Sequence, residues 1–313
     1  MKALVTGGAG FIGSHISQAL VQRGAKVIAL DNLSLGQRHN LDWAAKTDLE
    51  FVDGDVTDES LIRKLVAGCD WVFHEAAMPS VPRSVQDPLG SNFNNTDGTL
   101  RLLVAARDAG VKRMLFASSS AIYGDQNAPR KHEQLPPSPL SPYALQKYTG
   151  EKYCQMFHQL YGMPTVALRY FNVYGPRQAF DSPYSGVIAK FCTAMLKGET
   201  PVIFGDGLQS RDFTYIDNVV QANLMAAEAP AEKVAGGVFN AATGHSVTLL
   251  DLVQDLNDLT GQAIKPRFEP GRAGDVRSSL ADNSAAEKAF GYKATVTWKE
   301  GLAKTLEFYR SQQ

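Results

Sequence analysis

Cysteine is scarce: Cys69, Cys154 and Cys192 are the only three in 313 residues, and they lie far apart. That spacing excludes a disulfide scaffold and a cysteine-built metal centre, so each thiol reads as a small core hydrophobe in a reducing setting. No metal site is expected. Neither sign of charge prevails, with 31 Lys plus Arg against 32 Asp plus Glu. A nucleic-acid partner is therefore not expected, although a local pocket for phosphates remains open. No apolar run approaches the roughly 18 residues of a membrane span. Val5 leads into a glycine turn instead of a long apolar segment with a cleavage site, so a cytoplasmic setting is expected. Internal repeats and low-complexity tracts are lacking too. The length allows one large α/β unit or two domains, with ample buried core.

The first twenty-four residues are the most informative. Lys2–Thr6 is a short apolar run, Gly7-Gly8-Ala9-Gly10-Phe11-Ile12-Gly13 follows at once, and Ser14–Arg23 reads as a helix ending at Gly24. In this strand–turn–helix, Gly7 permits the tight turn and Gly10 lets a pyrophosphate approach the backbone. Gly13 lets the helix sit close on the sheet. Unpaired N–H groups at the helix start, from Phe11 onward, would hold the anion. The bland alternative is a purely structural turn. Lys26–Leu30 is a second strand closed by Asp31-Asn32. An acid there hydrogen-bonds an adenosine ribose and repels a 2'-phosphate, which favours NAD over NADP; otherwise the pair is only a turn. Leu49–Val52 is strand three, with Asp55 and Val56 just beyond it. Asp55 is a candidate partner for the adenine amino group or an ordinary helix-capping acid.

Asp70–His74 reads as strand four, and Ala76 and Ala77 offer small side chains where a cofactor would pass. A helix is predicted from about 89 to 109, with Thr99, Leu100, Leu103 and Val104 inward. Arg113–Ala117 is strand five and delivers Ser118-Ser119-Ser120 at its C-terminal end, where parallel sheets line their ligand crevice. A proline-rich loop over 124–142 leads to a helix over 143–161, then a strand over 164–168. This alternation predicts an α/β fold, a Rossmann-type and mostly parallel sheet with helices on both faces. Beyond Arg169 the texture changes to aromatic, Gly, Pro, Arg and Asn residues. Residues 1–169 are thus read as the dinucleotide-binding domain. Residues 170–313 form mainly a smaller C-terminal α/β substrate lobe, with parts of 212–240 returning to the large sheet.

Tyr143 and Lys147 are four apart, so on a helix they share a face. A neighbouring ammonium and the positive end of a nicotinamide would lower the phenol's pKa toward neutrality. Such a phenolate can take and return a hydroxyl proton as hydride moves. Ser119 would hydrogen-bond the same substrate oxygen. Tyr and Lys at this spacing also occur by chance on solvated helices; the glycine turn, Asp31 and the serine strand end turn the balance toward chemistry.

With these features in view, the chain resembles an extended short-chain dehydrogenase/reductase, and within that group a nucleotide-sugar 4-epimerase of the UDP-hexose/UDP-N-acetylhexosamine type. The resemblance rests on Thr6–Gly13, His74–Ala77, Ser118–Gly124, Tyr143–Lys147, Arg169–Pro176, Arg211–Phe213 and Arg272–Asp275, which together span the chain. It implies Tyr143 as catalytic base, Lys147 as its pKa partner and NAD ribose ligand, and Ser119 beside the sugar O4, with Ser118 or Ser120 able to share that contact. In the family NAD stays bound: the C4 hydroxyl is oxidised, the 4-keto sugar turns about its pyrophosphate link, and hydride returns to the other face. Asn172 would then hold the substrate phosphate or ribose region, Arg211 and Arg272 the diphosphate, and Asp275 the uridine ribose. For both arginines a surface ion pair is the plainer alternative. Family members dimerise through the helices near 89–109 and 143–161, so a homodimer is expected.

A 4,6-dehydratase is disfavoured, because Ser119-Ser120-Ala121 stands where that enzyme carries Thr-Asp-Glu. A UDP-glucuronate 4-epimerase stays open, since Arg83 lies near enough in the chain to meet a C6 carboxylate. UDP-glucose-restricted relatives place a bulky tyrosine where this chain has Ser279, so an acetamido group at C2 has room. The loop Ser80–Ser84 and Gln178 resemble members that prefer N-acetylhexosamines. The leading expectation is an NAD-dependent enzyme interconverting UDP-GlcNAc and UDP-GalNAc, and also UDP-glucose and UDP-galactose. A dinucleotide-binding regulatory protein without turnover is the rival of another class.

Overall fold

The computed structural model describes residues 1–44, 49–180, 186–271 and 277–312. Strands β1 (Lys2–Thr6), β2 (Lys26–Asp31), β3 (Leu49–Asp53), β4 (Trp71–His74), β5 (Arg113–Ser119) and β6 (Thr165–Tyr170) alternate with helices, as their short Val/Ile/Leu/Phe-rich runs predict. The strand Gly237–Ala241 joins them from far along the chain, pairing in parallel with β6. The resulting seven-stranded sheet runs Gly237–Ala241, β6, β5, β4, β1, β2, β3, and every pairing in it is parallel. Strand order reverses at β1, so a crevice opens there at the C-terminal ends of the strands.

Both faces are covered, and side chains alternate between them with the strand period of two. Ala3 and Val5 of β1 pack with Ile16 and Leu20 of α1 (Phe11–Gln22) and with Val219 and Ala222 of the helix Ile216–Glu228. Leu4 faces the other way, into a cluster closed by Ile62 and Leu65 of α2 (Glu59–Val66). Two short helices, α3 (Val81–Gln86) and α4 (Pro88–Asn92), follow; Ser80 and Asp87 cap them, and each has a proline in its first turn. A π-helical turn over Phe93–Asp97 separates α4 from α5 (Gly98–Asp108). The single smooth helix expected near 89–109 is thus interrupted. Of the positions expected inward, Thr99 and Leu103 are buried, whereas Leu100 and Val104 are only partly so; Leu102, Ala105 and Ala106 are buried beside them. The twenty-residue helix α6 (Pro142–Tyr161), capped by Ser141 and closed by left-handed Gly162, lies over the same face.

A buried ion pair fastens α6 to the sheet. Arg169 donates from Nε and Nη2 to the two oxygens of Glu151 at 2.7 and 2.8 Å, and the Ser118 hydroxyl donates to Oε1. The rest of the C-terminal half builds only short ladders. Ser210–Arg211 pairs with Val247–Thr248 and Ser278–Ser279, and Val202–Phe204 pairs with Arg267–Glu269. Three helices, Val187–Leu196, Leu249–Thr260 and Trp298–Arg310, pack around them.

Candidate active site

A cavity of about 1320 Å³ runs along the C-terminal ends of the sheet, from Asp31 and Asn32 past the glycine turn to Tyr143, Lys147 and Ser279. The turn is built as its glycines require. Gly7 has a φ of +66°, and a Cβ there would come within 2.8 Å of Ala76 N; at Gly13 it would sit 2.1 Å from the Gly7 carbonyl. Only glycine fits at either position. No side chain caps α1, which leaves the N–H groups of Phe11, Ile12 and Gly13 without helical partners at the cavity wall. At the end of β2 the Asp31 carboxylate accepts from Ala9 N and Leu33 N at 3.0 and 2.9 Å. Burial pushes its pKa up, while the backbone N–H groups act to hold it down. Asp55 accepts from Thr57 and from Asn32 Nδ2, and those bonds hold its pKa low against partial burial. Val56, Ala76 and Ala77 complete this half of the wall. The donor set suits a dinucleotide: N–H groups for a pyrophosphate, and Asp31 for a ribose.

At the other end β5 carries Ser119 and Ser120 to the cavity, and α6 presents Tyr143 and Lys147 one turn apart. Ser119 Oγ accepts from Ala121 N at 3.1 Å and lies close enough to the Tyr143 phenol to act against a rise in its pKa. The Lys147 ammonium is buried and donates to the Ala117 carbonyl at 2.7 Å, with Nζ 6.0 Å from the Tyr143 ring centre. Loss of water drives its pKa down to about 8.

Of the two charges expected to lower the phenol's pKa, the Lys147 ammonium gives no such effect here. Burial raises its pKa above the ordinary value, the Glu75 carboxylate raises it further, and only Ser119 opposes them. The neighbouring ammonium is turned to a carbonyl, so the expected depression is absent from the protein's own groups. The positive charge of an oxidised nicotinamide is what remains to supply it.

Ser80, Arg83, Asn172, Arg211 and Ser279 also line the cavity. Ser80 doubles as a helix cap, accepting from Arg83 N. Asn172, held at a φ of +35°, donates to the Asp212 carbonyl. Arg211 donates to the Ser210 carbonyl and borders a second cavity of about 490 Å³, walled by Pro201, Val202 and Phe204. Arg272 and Asp275 lie outside the described residues.

Sequence reading passed over a buried polar lattice beneath the site. The Asn95 amide spans the Met78 backbone (Oδ1 from N at 2.7 Å, Nδ2 to O at 3.2 Å) and donates to Gln146 Oε1 at 2.8 Å. This ties the loop after β4 to α6, between Tyr143 and Lys147. Thr99 donates to the Asn95 carbonyl, so His74 Nε2 must donate to Thr99. Nδ1 then accepts from Thr6, which accepts from Ala76 N. The network assigns this tautomer, and burial drives the ring's pKa down to about 3. The wide turn at Phe93–Asp97 sets Asn95 in place, and π turns leave no mark in hydrophobic periodicity. Glu75, Arg177 and Lys131 also border the cavity without having been assigned a role. Among the described residues no cluster of His, Cys, Asp or Glu is placed to hold a metal, and no helix is long and apolar enough to cross a membrane.

Known proteins share this layout. Residues 3–242 match the model of the NAD dependent epimerase/dehydratase family. A UDP-glucose 4-epimerase of Mycolicibacterium smegmatis is 41% identical over 100% of this chain and 99% of its own. Among solved structures, the UDP-N-acetylglucosamine 4-epimerase of Methanobrevibacter ruminantium in complex with UDP-N-acetylmuramic acid is 42% identical. It superposes with a TM-score of 0.95 over 100% of this chain and 99% of its own. A UDP-glucuronic acid 4-epimerase of Bacillus cereus, in complex with a fluorinated UDP-glucuronic acid analogue and NAD, is 32% identical with a TM-score of 0.92 over 100% of both chains. The chain belongs to the NAD-dependent epimerase/dehydratase family, as an enzyme of its UDP-sugar 4-epimerase branch with NAD as cofactor.

Proposed function

We propose that this enzyme inverts C4 of UDP-N-acetylhexosamines, interconverting UDP-GlcNAc and UDP-GalNAc, and accepts UDP-glucose and UDP-galactose as well. The observation that carries the reading is the convergence of Ser119, Tyr143, Lys147 and the small Ser279 on one cavity that also holds the glycine turn. Bound NAD supplies reversible acceptance of hydride. Tyr143, as phenolate, takes the C4 hydroxyl proton and later returns it, with Ser119 holding the same oxygen. Lys147 orients the nicotinamide ribose. Arg211, bordering both cavities, grips the diphosphate, so that the uracil enters the smaller cavity against Phe204 while the sugar turns in the larger. Ser80 and Asn172 line the path of the sugar and phosphates. Asp31 holds the adenosine ribose and Asp55 the adenine.

Ser279 leaves volume for an acetamido group at C2, and the 42% identical UDP-N-acetylglucosamine 4-epimerase supports that choice. The rival substrate is UDP-glucuronate, favoured by two cations on the cavity wall, Arg83 and Lys131. Incubating the holoenzyme with UDP-GlcNAc, UDP-glucose and UDP-glucuronate, and separating the products by chromatography, decides between them. Conversion of UDP-GlcNAc is expected; conversion of UDP-glucuronate alone overturns the reading.

The assembly is proposed to be a homodimer. Leu145, Met156 and Leu160 form an exposed apolar stripe on α6, beside exposed Val85, Leu89 and Phe93; Leu89 is 84% exposed. Two copies meeting on this face would cover both stripes about a twofold axis. The three buried, unpaired cysteines fit the proposed cytoplasmic location.

A further inference from the structure

Glu75 stands at the centre of the cleft with no part in the chemistry above. It follows His74, which is paired with Phe116 across the sheet. Glu75 therefore lies beside Ala117, the residue whose carbonyl receives the Lys147 ammonium. On its other flank a Cβ at Gly7 would meet the Glu75 carbonyl carbon at 3.0 Å. The residue thus sits between the phosphate turn and the catalytic pair. Its Oε1 accepts from the Tyr170 hydroxyl at 2.9 Å, and that hydroxyl in turn accepts from Asn223 Nδ2 at 2.8 Å. Tyr170 is the sheet partner of Ser119. Oε2 is shut off from solvent and has no hydrogen-bond partner among the described residues. Glu75 and Lys147 form no ion pair within 4.0 Å, so their charges oppose each other across a gap.

A buried carboxyl with one oxygen unbonded is costly unless a positive charge nearby compensates it. The lysine compensates it in part, and the two groups act on each other. Lys147 draws the Glu75 pKa down against burial, which holds it up at about 7, and Glu75 supports the charge on Lys147. We propose that Glu75 is the counter-charge of the cleft: its carboxylate favours the cationic, oxidised nicotinamide over the neutral reduced form, and so sets how readily the bound cofactor keeps the hydride. An epimerase needs that balance, because a cofactor left reduced after loss of the keto sugar cannot start another turn. Glu75 acts here through charge and touches no reacting atom, so it is a tuning residue and not a catalytic one. The charged and titratable groups facing it are Lys147 and Tyr143 of α6 and Tyr170 of β6; the helix Ile216–Glu228 presents the uncharged Asn223. The inference rests on the nicotinamide lying beside Tyr143, but not on which sugar is turned over.

The test is a redox titration of the cofactor in the purified holoenzyme with mediator dyes near neutral pH, followed by the near-ultraviolet band of reduced nicotinamide. Wild type is compared with Glu75→Gln, which keeps the shape and an acceptor for Tyr170. At a fixed applied potential the reduced-to-oxidised ratio should rise about tenfold in Glu75→Gln, equivalent to about 30 mV for a two-electron couple. Tyr170→Phe, which leaves the carboxyl in place but removes a bond that favours its charged form, should shift the ratio the same way by less. It is also the fallback should Glu75→Gln not fold. A ratio unchanged within twofold in folded, NAD-loaded Glu75→Gln, or one shifted toward the oxidised form, overturns the proposal. An altered melting temperature with an unaltered ratio does so too, since it reveals a packing role alone. Tyr143→Phe separates this from the broader reading: if that variant turns over normally, the nicotinamide placement itself is wrong.

Discussion

The two ends of the main cavity are built by different means. At the proposed nucleotide end most of the wall is backbone, with glycines that leave no room for a Cβ and the open N–H groups of α1, and the Asp31 and Asp55 carboxylates stand beside it. At the sugar end the corresponding elements are side chains on a serine strand end, a helix N-terminus and two-residue strands such as Ser278–Ser279. Backbone recognition tolerates few sequences and is shared widely, so it fixes cofactor and family. Side chains on short strands can be exchanged without disturbing the sheet, so substrate choice can vary at the sugar end while the fold holds still. Three solved or curated relatives that divide among glucose, N-acetylglucosamine and glucuronate illustrate the point.

That contrast can be broken or sharpened by four measurements. Tyr143→Phe has the largest expected effect: turnover should fall by about 10²- to 10⁴-fold with NAD content unchanged, because the cofactor is held mainly elsewhere. Near-normal turnover with NAD retained removes the phenol from its role. Glu151→Ala strips Arg169 of its buried partner and should lower the unfolding free energy in urea by about 3–5 kcal/mol. A loss below ~1 kcal/mol would mean that the clamp between α6 and the sheet is dispensable.

A third measurement concerns the sugar end alone. Ser279→Tyr should cut turnover of UDP-GlcNAc by roughly 10- to 200-fold while UDP-glucose turnover persists; equal rates on both would show that the size gate lies elsewhere. The smallest effect belongs to His74. Its pKa in the folded protein, about 3, lies below the ordinary 6.5, so the unfolded chain binds a proton that the native ring refuses. Its share of the stability is present above pH 6.5 and lost as pH falls toward 3, by at most about 1.4 kcal/mol per pH unit. Denaturation of wild type and His74→Gln between neutral and mildly acid pH should give a shallower acid slope for the variant. Parallel curves would mean that the ring is not held neutral. His15, depressed to about 4, contributes in the same sense and remains in both proteins.

Much of this architecture could be read before folding. The strand–turn–helix of Lys2–Gln22 is local: Gly10 and Gly13 answer to the Gly7 carbonyl a few residues away and Gly8 to Ala29 of the next strand, and only Gly7 answers to a distant segment, at Glu75 and Ala76. Tyr143 and Lys147 were legible because helical spacing alone sets them together. The lattice under them was not. Asn95 reaches Gln146 across 51 residues of chain, and it does so from a π turn whose sequence, Phe93–Asp97, reads as plain helix. The phenol's upward shift was missed for a similar reason. A pKa depends on how much water is excluded and on which way the Lys147 amine points, and neither is visible in a spacing of four. Glu75 falls inside the stretch His74–Ala77, and nothing near it in sequence points to a task, since its partner Tyr170 lies 95 positions away.

The strand Gly237–Ala241 carries a consequence for how the molecule can be divided. It occupies the outer flank of β6, while Arg113 at the start of β5 donates to the carbonyls of Ala226 and Ala229, and α1 leans on the helix Ile216–Glu228. A chain cut after residue 169 would lose all three supports at once and leave an open strand edge ready to pair with any neighbour. The strands and helices of residues 1–169 thus draw part of their packing from residues 216–241, much further along the chain.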